Sequence, residues 1–186
     1  QNYWMVIHPP TLFLGFAVSI IPFSYAVSSL RLNDYKSWLP PAKKWLVLSI
    51  IILGIGIMMG AYWAYETLNF GGYWNWDPVE NAVYVPWLFL VASLHSVILT
   101  QKNRQYYKMS LILSFVSFIL ILYSTFLTRS GILGDSSVHS FTDLGLSGQL
   151  LIYLFTFISI GLYLFISRWN KIPFSEKEAK IYNADF

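Results

Sequence analysis

One stretch of the chain concentrates residues that could bind a large planar ligand. It runs from Phe70 to Trp87, reads FGGYWNWDPVENAVYVPW, and contains three of the eight tryptophans in the sequence. Trp74 and Trp76 offer flat aromatic faces, and Gly72, which has no side chain, lets a ligand approach the backbone closely. This composition predicts a loop that holds a planar, apolar ligand. Aromatic residues also collect at membrane interfaces without any ligand, so an interfacial belt is the alternative interpretation.

The residues that follow predict a sharply defined start of a helix. Asp77 suits the N-cap, Pro78 suits the first helical position, and Glu80 stands where the acidic residue of a capping box is found. Asp77 is also a candidate contact for the ligand, although helix capping alone would explain its position. The stretch therefore predicts a loop-to-helix junction of defined geometry.

The chain has three histidines, and each is a candidate metal ligand. His8 and His139 are predicted to lie outside the apolar segments, and neutral imidazole is a good ligand for haem iron. They could bind one porphyrin from both faces, above the tryptophan-rich loop. His95 stands about 22 Å beyond Glu80 along a helix, which is too far to reach the same haem. An ionisable residue inside a membrane-spanning segment is a functional candidate, and a hydrogen-bonded neutral histidine within the bundle is the alternative.

These candidates must be positioned by a membrane-embedded fold. Hydrophobic residues make up 56% of the 186-residue chain and charged residues 11%, against about 25% charged in a typical soluble domain. Five apolar segments can each cross ~30 Å of hydrocarbon, which takes about 20 helical residues. We expect an all-α, polytopic membrane bundle over residues 1–170, with 171–186 as a cytoplasmic tail or the start of a further loop. The predicted spans are 11–30, 45–66, 80–100, 109–128 and 147–168, and the outer loop is 67–79.

The basic residues predict the orientation of this bundle. All of the twelve Lys and Arg except Arg129 fall in segments 31–44, 101–108 and 168–186, so these segments are expected to be cytoplasmic. The tryptophan-rich loop and the loop 129–146 would then face outward. Because the basic residues are spread between apolar segments, membrane lipid is an expected partner and nucleic acid is not.

Arg129 is the one cation on the predicted outer face. A guanidinium donates paired hydrogen bonds to a carboxylate, and a haem carries two propionates, so Arg129 is a candidate contact for them. Capping the end of the fourth span, where the helix dipole favours a cation, is the alternative.

Small and polar residues predict how the spans pack. Gly56 and Gly60 form a small-xxx-small pair that favours close helix contact. Pro22 and Pro86 lie inside spans and predict kinks. A polar stripe on the fourth span is predicted to face the bundle interior; it consists of Ser110, Ser114, Ser117, Ser124 and Thr128.

The segment GGYWNWDPVENA resembles the tryptophan-rich WWD signature of haem-handling proteins in cytochrome c assembly. Its WDPVENA form is similar to the CcmF branch, the cytochrome c haem lyase subunit and its nitrite-reductase-associated relatives. The related CcsA branch usually has a lysine at the position of Val79 and differs again after Glu80. The IHPP context of His8 and the TRSGILGDSSVHSF context of His139 are similar to the two external histidine sites that flank the signature in that family.

The resemblance implies roles for the three histidines. His8 and His139 would be the external axial ligands of an incoming, transient haem, and His95 would be one ligand of a permanent haem b. In that family the second ligand of the haem b lies in a later span, and this chain has no fourth histidine. The chain, which begins at Gln1, is therefore expected to be a fragment or one part of a protein divided between chains.

The function implied is cytochrome c-type biogenesis in a bacterial inner (plasma) membrane or an organellar inner membrane. Haem would arrive with the help of a haem chaperone and other maturation subunits, and it would be presented on the periplasmic face to apocytochrome c. The chain has no cysteine, so the thiols that form thioether bonds belong to the CXXCH motif of the apocytochrome. Because no side-chain nucleophile is apparent, a haem lyase subunit of this kind would act by positioning haem.

Two other functions are compatible with the residues. A membrane redox subunit would hold an electron-carrying haem b between His95 and a histidine of another chain, and it would retain haem without the external histidines. A transporter-like bundle with an aromatic belt would bind no cofactor, and it would be purified free of haem.

Overall fold

The computed structural model describes residues 2–68, 71–134 and 145–173, and this part of the chain forms a bundle of helices joined by short connections. Five of its helical segments are long and apolar enough to cross a membrane; the first is formed by α1 and α2 together. The predicted all-α membrane bundle is therefore confirmed. The helices are α1 (Tyr3–Val18), α2 (Ile20–Leu32), α3 (Leu39–Thr67), α4 (Pro78–Lys102), α5 (Tyr107–Arg129) and α6 (Ser147–Arg168).

The first helix begins earlier than predicted. It starts at Tyr3 rather than at Thr11, so His8 lies on a helix and not in a segment before the first span. Asn2 is the reason for this start, because its Oδ1 accepts a hydrogen bond of 2.9 Å from the backbone N–H of Trp4. An asparagine at the N-cap satisfies one of the donors that the first turn leaves without a partner.

Helix α1 continues through Pro9 and Pro10. A proline within a helix removes the N–H that would bond to the carbonyl four residues earlier. Those carbonyls belong to Met5 and Val6, which are 60% and 61% exposed at the end of the bundle. The lost hydrogen bonds therefore fall near the start of α1, at residues that are exposed on the bundle.

The first membrane-spanning segment is interrupted at Ser19, between α1 and α2. Pro22 lies three residues further on, and its ring would clash with the carbonyl of Val18 in a continuous helix. The break therefore falls where Pro22 is expected to disturb the helix. Helix α4, in contrast, is assigned without a break through Pro86.

Helices α1 and α3 approach each other closely along a row of glycines. A methyl group added to Gly15 would lie 2.8 Å from the Cα of Leu53. One added to Gly56 would lie 2.9 Å from the side chain of Leu12. Real Cβ atoms do not approach neighbours this closely, so these positions require glycine at this helix separation. The predicted small-residue packing is confirmed.

Helices α4 and α5 are joined by buried hydroxyl groups. The side chains of Ser93 and Ser114 are hydrogen bonded at 2.9 Å. Ser96 donates to Ser110 at 3.3 Å, and Thr100 also hydrogen bonds to Ser110. Each of these residues is buried, so the polar stripe of α5 faces the bundle interior as predicted.

Candidate functional site

The start of α4 is fixed by a complete capping box. The carboxylate of Asp77 accepts hydrogen bonds from the backbone N–H groups of Val79 and Glu80, at 2.8 and 2.9 Å. Glu80 in turn accepts from the N–H of Asp77 at 3.3 Å and from that of Asn75 at 2.8 Å. Two carboxylates beside a helix N-terminus are also favoured by the helix dipole. These contacts confirm the predicted capping box and attach the tryptophan-rich loop to the helix.

Trp76 has an unusual backbone within this loop. Its φ is +57°, in the left-handed region that residues other than glycine seldom adopt. The side-chain amide of Asn81 donates to the Trp76 carbonyl at 2.8 Å and holds this conformation. The indole is 68% exposed. The loop therefore presents Trp76 outward from a fixed position.

Aromatic rings surround this junction. Trp74 meets Trp76 edge to face, with ring centroids 6.3 Å apart, and it meets Tyr84 at 5.7 Å. Tyr84 stacks on Trp87 at 6.0 Å with an interplanar angle of 18°. Edge-to-face and offset arrangements of this kind are favourable for aromatic pairs. The tryptophans and Tyr84 form one connected aromatic cluster from the loop into α4.

A partly open cavity of about 290 Å³ lies beside this cluster. It is bordered by α1, α3, the start of α4 and the end of α5, and its walls are mainly apolar. Sites for small molecules and cofactors are typically apolar concavities of this kind with a few polar groups. The lining includes His8, Phe13, Trp63, Trp74 and Thr128. Residues distant in the sequence therefore meet at one end of the bundle.

Arg129 stands at the edge of this cavity. Its guanidinium carbon lies 4.9 Å from the centre of the Phe13 ring, and Phe13 is part of the cavity wall. A cation over an aromatic face at this distance is a favourable contact. Arg129 also occupies the last turn of α5, so both of its predicted roles remain compatible with its position.

The side chain of His95 lies on an exposed side of α4 in the described part of the bundle, and its role as a haem ligand stays a prediction. Its side chain is exposed, whereas Ser93 and Ser96 of the same helix are buried against α5. Because successive residues of a helix point in different directions, His95 lies on a different side of α4 from Ser93 and Ser96. Its Nδ1 lies 2.8 Å from the carbonyl of Val91. A carbonyl can only accept a hydrogen bond, so this contact assigns the donor role to Nδ1.

The other predicted site residues either lie outside the described residues or do not line the cavity. His139 lies in 135–144, outside the described residues. Gly72, Trp76 and Asp77 are close to the cavity in sequence but are not among the residues that line it. Trp63 lines the cavity but was not predicted as a site residue from the sequence. Its spacing from Gly60 places both residues on one face of α3.

The fold and this site define an integral membrane protein with an aromatic cavity at one end of a helical bundle. The family model described as "Cytochrome C assembly protein" matches residues 1–133, so the chain belongs to that family. It is 38% identical over 192 residues to the cytochrome c-type biogenesis protein CycK of Bradyrhizobium diazoefficiens, covering 98% of this chain and 29% of that protein. It is 37% identical over 177 residues to CcmF of Escherichia coli, covering 92% of this chain and 27% of the relative.

A solved structure titled "Cytochrome c Heme Lyase CcmF" matches this fold with a TM-score of 0.73 and 33% identity. The match covers 90% of this chain and 26% of the solved chain. The chain thus spans less than a third of the length of these relatives. The resemblance of the tryptophan-rich stretch to CcmF-type proteins agrees with the similar proteins and with the similar solved structure.

Proposed function

We propose that this chain takes part in cytochrome c maturation by holding haem at the cavity end of the bundle and presenting it to apocytochrome c. The observation that supports this most is the convergence of His8, Trp74 and Phe13 on one cavity, with Arg129 at its edge. The names of the similar proteins, which are biogenesis proteins and a haem lyase, support the same proposal. Haem is the substrate to be delivered.

The residues of the cavity fit the chemistry of haem. The apolar walls suit the porphyrin, His8 offers an imidazole, and Arg129 offers a cation near the rim for a propionate.

His8 and His139 are the proposed axial ligands of this haem. His139 follows α5 in the segment whose sequence resembles the second external histidine site. The tryptophan-rich loop, with Gly72, Trp76 and Asp77, would complete the outer side of the site. Haem supplies the vinyl groups to which cysteine thiols of apocytochrome c add, and the residues of this chain bind and orient it.

His95 is proposed to bind a second, permanent haem b together with a histidine outside this chain. Its Nδ1 contact with Val91 leaves Nε2 for a metal, which is the usual arrangement of a ligating histidine. Its position on an exposed side of α4 leaves space for another helix. The tryptophan-rich loop would face the periplasm of a bacterial, or the equivalent side of an organellar, inner membrane, where a haem chaperone and other maturation subunits could reach it.

The haem content of the full native protein, purified in mild detergent, tests this proposal. A pyridine haemochrome assay and optical spectra should reveal two inequivalent haems, and replacing both His8 and His139 by alanine should remove one. A membrane redox subunit, which the His95 geometry also favours, would keep all of its haem after that change. A protein purified without haem would contradict both haem hypotheses and would favour a transporter-like bundle.

A further inference from the structure

We propose that Gly60 and Trp63 of α3 position the ring of His8 for binding haem iron in the cavity. This inference rests on the proposed function, because it assumes that His8 is a haem ligand. It assigns a positioning role to two residues outside the tryptophan-rich loop. Both lie on α3, and the side chain of His8 lies against that helix.

Gly60 provides the space in which the His8 ring lies. A methyl group added to Gly60 would be 2.9 Å from Nδ1 and 3.0 Å from Cε1 of His8. The Nδ1 atom is buried. A metal bound to a histidine nitrogen lies about 2.0 to 2.1 Å from it, which on the Nδ1 side would overlap α3. Nδ1 is therefore not the nitrogen that can bind a metal in the cavity, and Gly60 determines which edge of the ring faces α3.

Trp63 fixes the plane of the same ring. The His8 and Trp63 rings are nearly parallel, with an interplanar angle of 15° and centroids 6.1 Å apart. The torsion angle about the Cβ–Cγ bond of a histidine adopts a broad range of values, so neighbouring groups are needed to fix the plane of the imidazole. Trp63 supplies a flat neighbour from the α3 face on which Gly60 lies.

The residue one turn before Gly60 offers a matched control. Gly56 also lies against α1, but a methyl group there would meet Leu12, at 2.9 Å, and not His8. Gly56→Ala and Gly60→Ala therefore disturb the same pair of helices by the same added atom. The positioning role predicts that they differ, because only the second displaces the imidazole.

The test compares Gly60→Ala, Gly56→Ala and His8→Gly in the full native protein, purified with haem. Optical and electron paramagnetic resonance spectra report whether the iron is six-coordinate and low-spin. The signal of the outer haem is obtained by subtracting the spectrum of His8→Gly from that of the unchanged protein. We expect Gly60→Ala to lose most of this low-spin signal and to recover it with added imidazole. Gly56 lines the same cavity, so Gly56→Ala should lose a smaller part of the signal, and added imidazole should not restore that part. An unchanged signal in Gly60→Ala, or equal loss in both glycine variants, would overturn the inference.

Trp63→Leu provides a second test that adds no atoms beside His8. It should leave haem bound but shift the g values of the low-spin signal, because the imidazole plane is no longer fixed. Identical g values would overturn the role of Trp63, even if Gly60→Ala does not accumulate in the membrane. A His8→Gly spectrum identical to that of the unchanged protein would instead contradict the proposed function itself.

Discussion

Two neighbouring tryptophans have different surroundings, and their substitutions should separate two roles. Trp74 lines the cavity, whereas Trp76 is 68% exposed on the outside of the loop. Trp74→Ala should weaken haem binding by about 1.5 to 3 kcal/mol, the value of burying a large apolar side chain. This corresponds to a roughly ten- to hundredfold rise in Kd, measurable by haem titration.

Trp76→Ala is the matched comparison for that titration. We expect a smaller effect on haem affinity, because Trp76 is exposed at the outer side of the site and does not line the cavity. The double variant should resemble Trp74→Ala in haem affinity while the protein still inserts into the membrane. No loss from either single variant would reduce the loop to an interfacial aromatic belt, whereas equal losses would show that Trp76 contacts haem as strongly as Trp74.

The sequence was sufficient to identify several residues that line the cavity. It was not sufficient to identify the side chains that these residues contact. His8 and Trp74 were recognisable from motif and composition. The contacts of His8 with Gly60 and Trp63 depend on how α1 crosses α3, and a residue pattern in one helix does not specify that crossing. The direction of the His95 side chain depends on which face of α4 packs against α5, and the sequence of α4 alone does not specify that face.

At the scale of helices, the capping box gives a direct test of what Asp77 does. Asp77→Ala removes the acceptor for the N–H groups of Val79 and Glu80, so α4 should lose about 1 kcal/mol of stability. Thermal unfolding in detergent should show a lower Tm. Asp77→Asn keeps a capping oxygen, and it should retain both the Tm and the bound haem. Loss of haem in Asp77→Asn with an unchanged Tm would mean that the carboxylate contacts the ligand.

The hydroxyl contacts between α4 and α5 predict a non-additive pair of substitutions. Ser114→Ala leaves the hydroxyl of Ser93 without this partner in a buried position, at a cost of about 1 to 3 kcal/mol. Changing both residues to alanine removes donor and acceptor together, so the second change should cost much less than the first. Unfolding of the single and double variants in detergent measures this coupling. Strictly additive losses would show that the contact contributes little.

The helices themselves were predictable where local signals agree. The start of α4 carries a cap, a proline and an acidic residue at the expected spacing, and the structure has all three in those roles. The start of α1 was misplaced, because its N-cap, Asn2, is a single residue and two prolines follow within the helix. The helix nevertheless continues through those prolines, and a residue pattern does not reveal this.

At the scale of the whole molecule, the orientation in the membrane is the prediction on which the site depends. The cavity, the tryptophan-rich loop and Arg129 lie at one end of the bundle, and the segments with most of the lysines and arginines lie at the other. Reporter fusions after Asn75 and Ser137 should therefore report the outer compartment, and a fusion after Asn103 the cytoplasm. A reporter at Asn75 that is found in the cytoplasm would show that the cavity faces away from apocytochrome c. This result would contradict the proposed function.

The most direct test of the central claim is cytochrome c yield in His8→Gly, His139→Gly and His95→Gly, each with and without added imidazole. The outer haem is proposed to lie between His8 and His139, so the first two variants should lose maturation and recover it at least partly when free imidazole replaces the missing ligand. His95→Gly should respond differently, because its loss affects a separate haem. Full maturation without His139, or the same response in all three variants, would contradict the account.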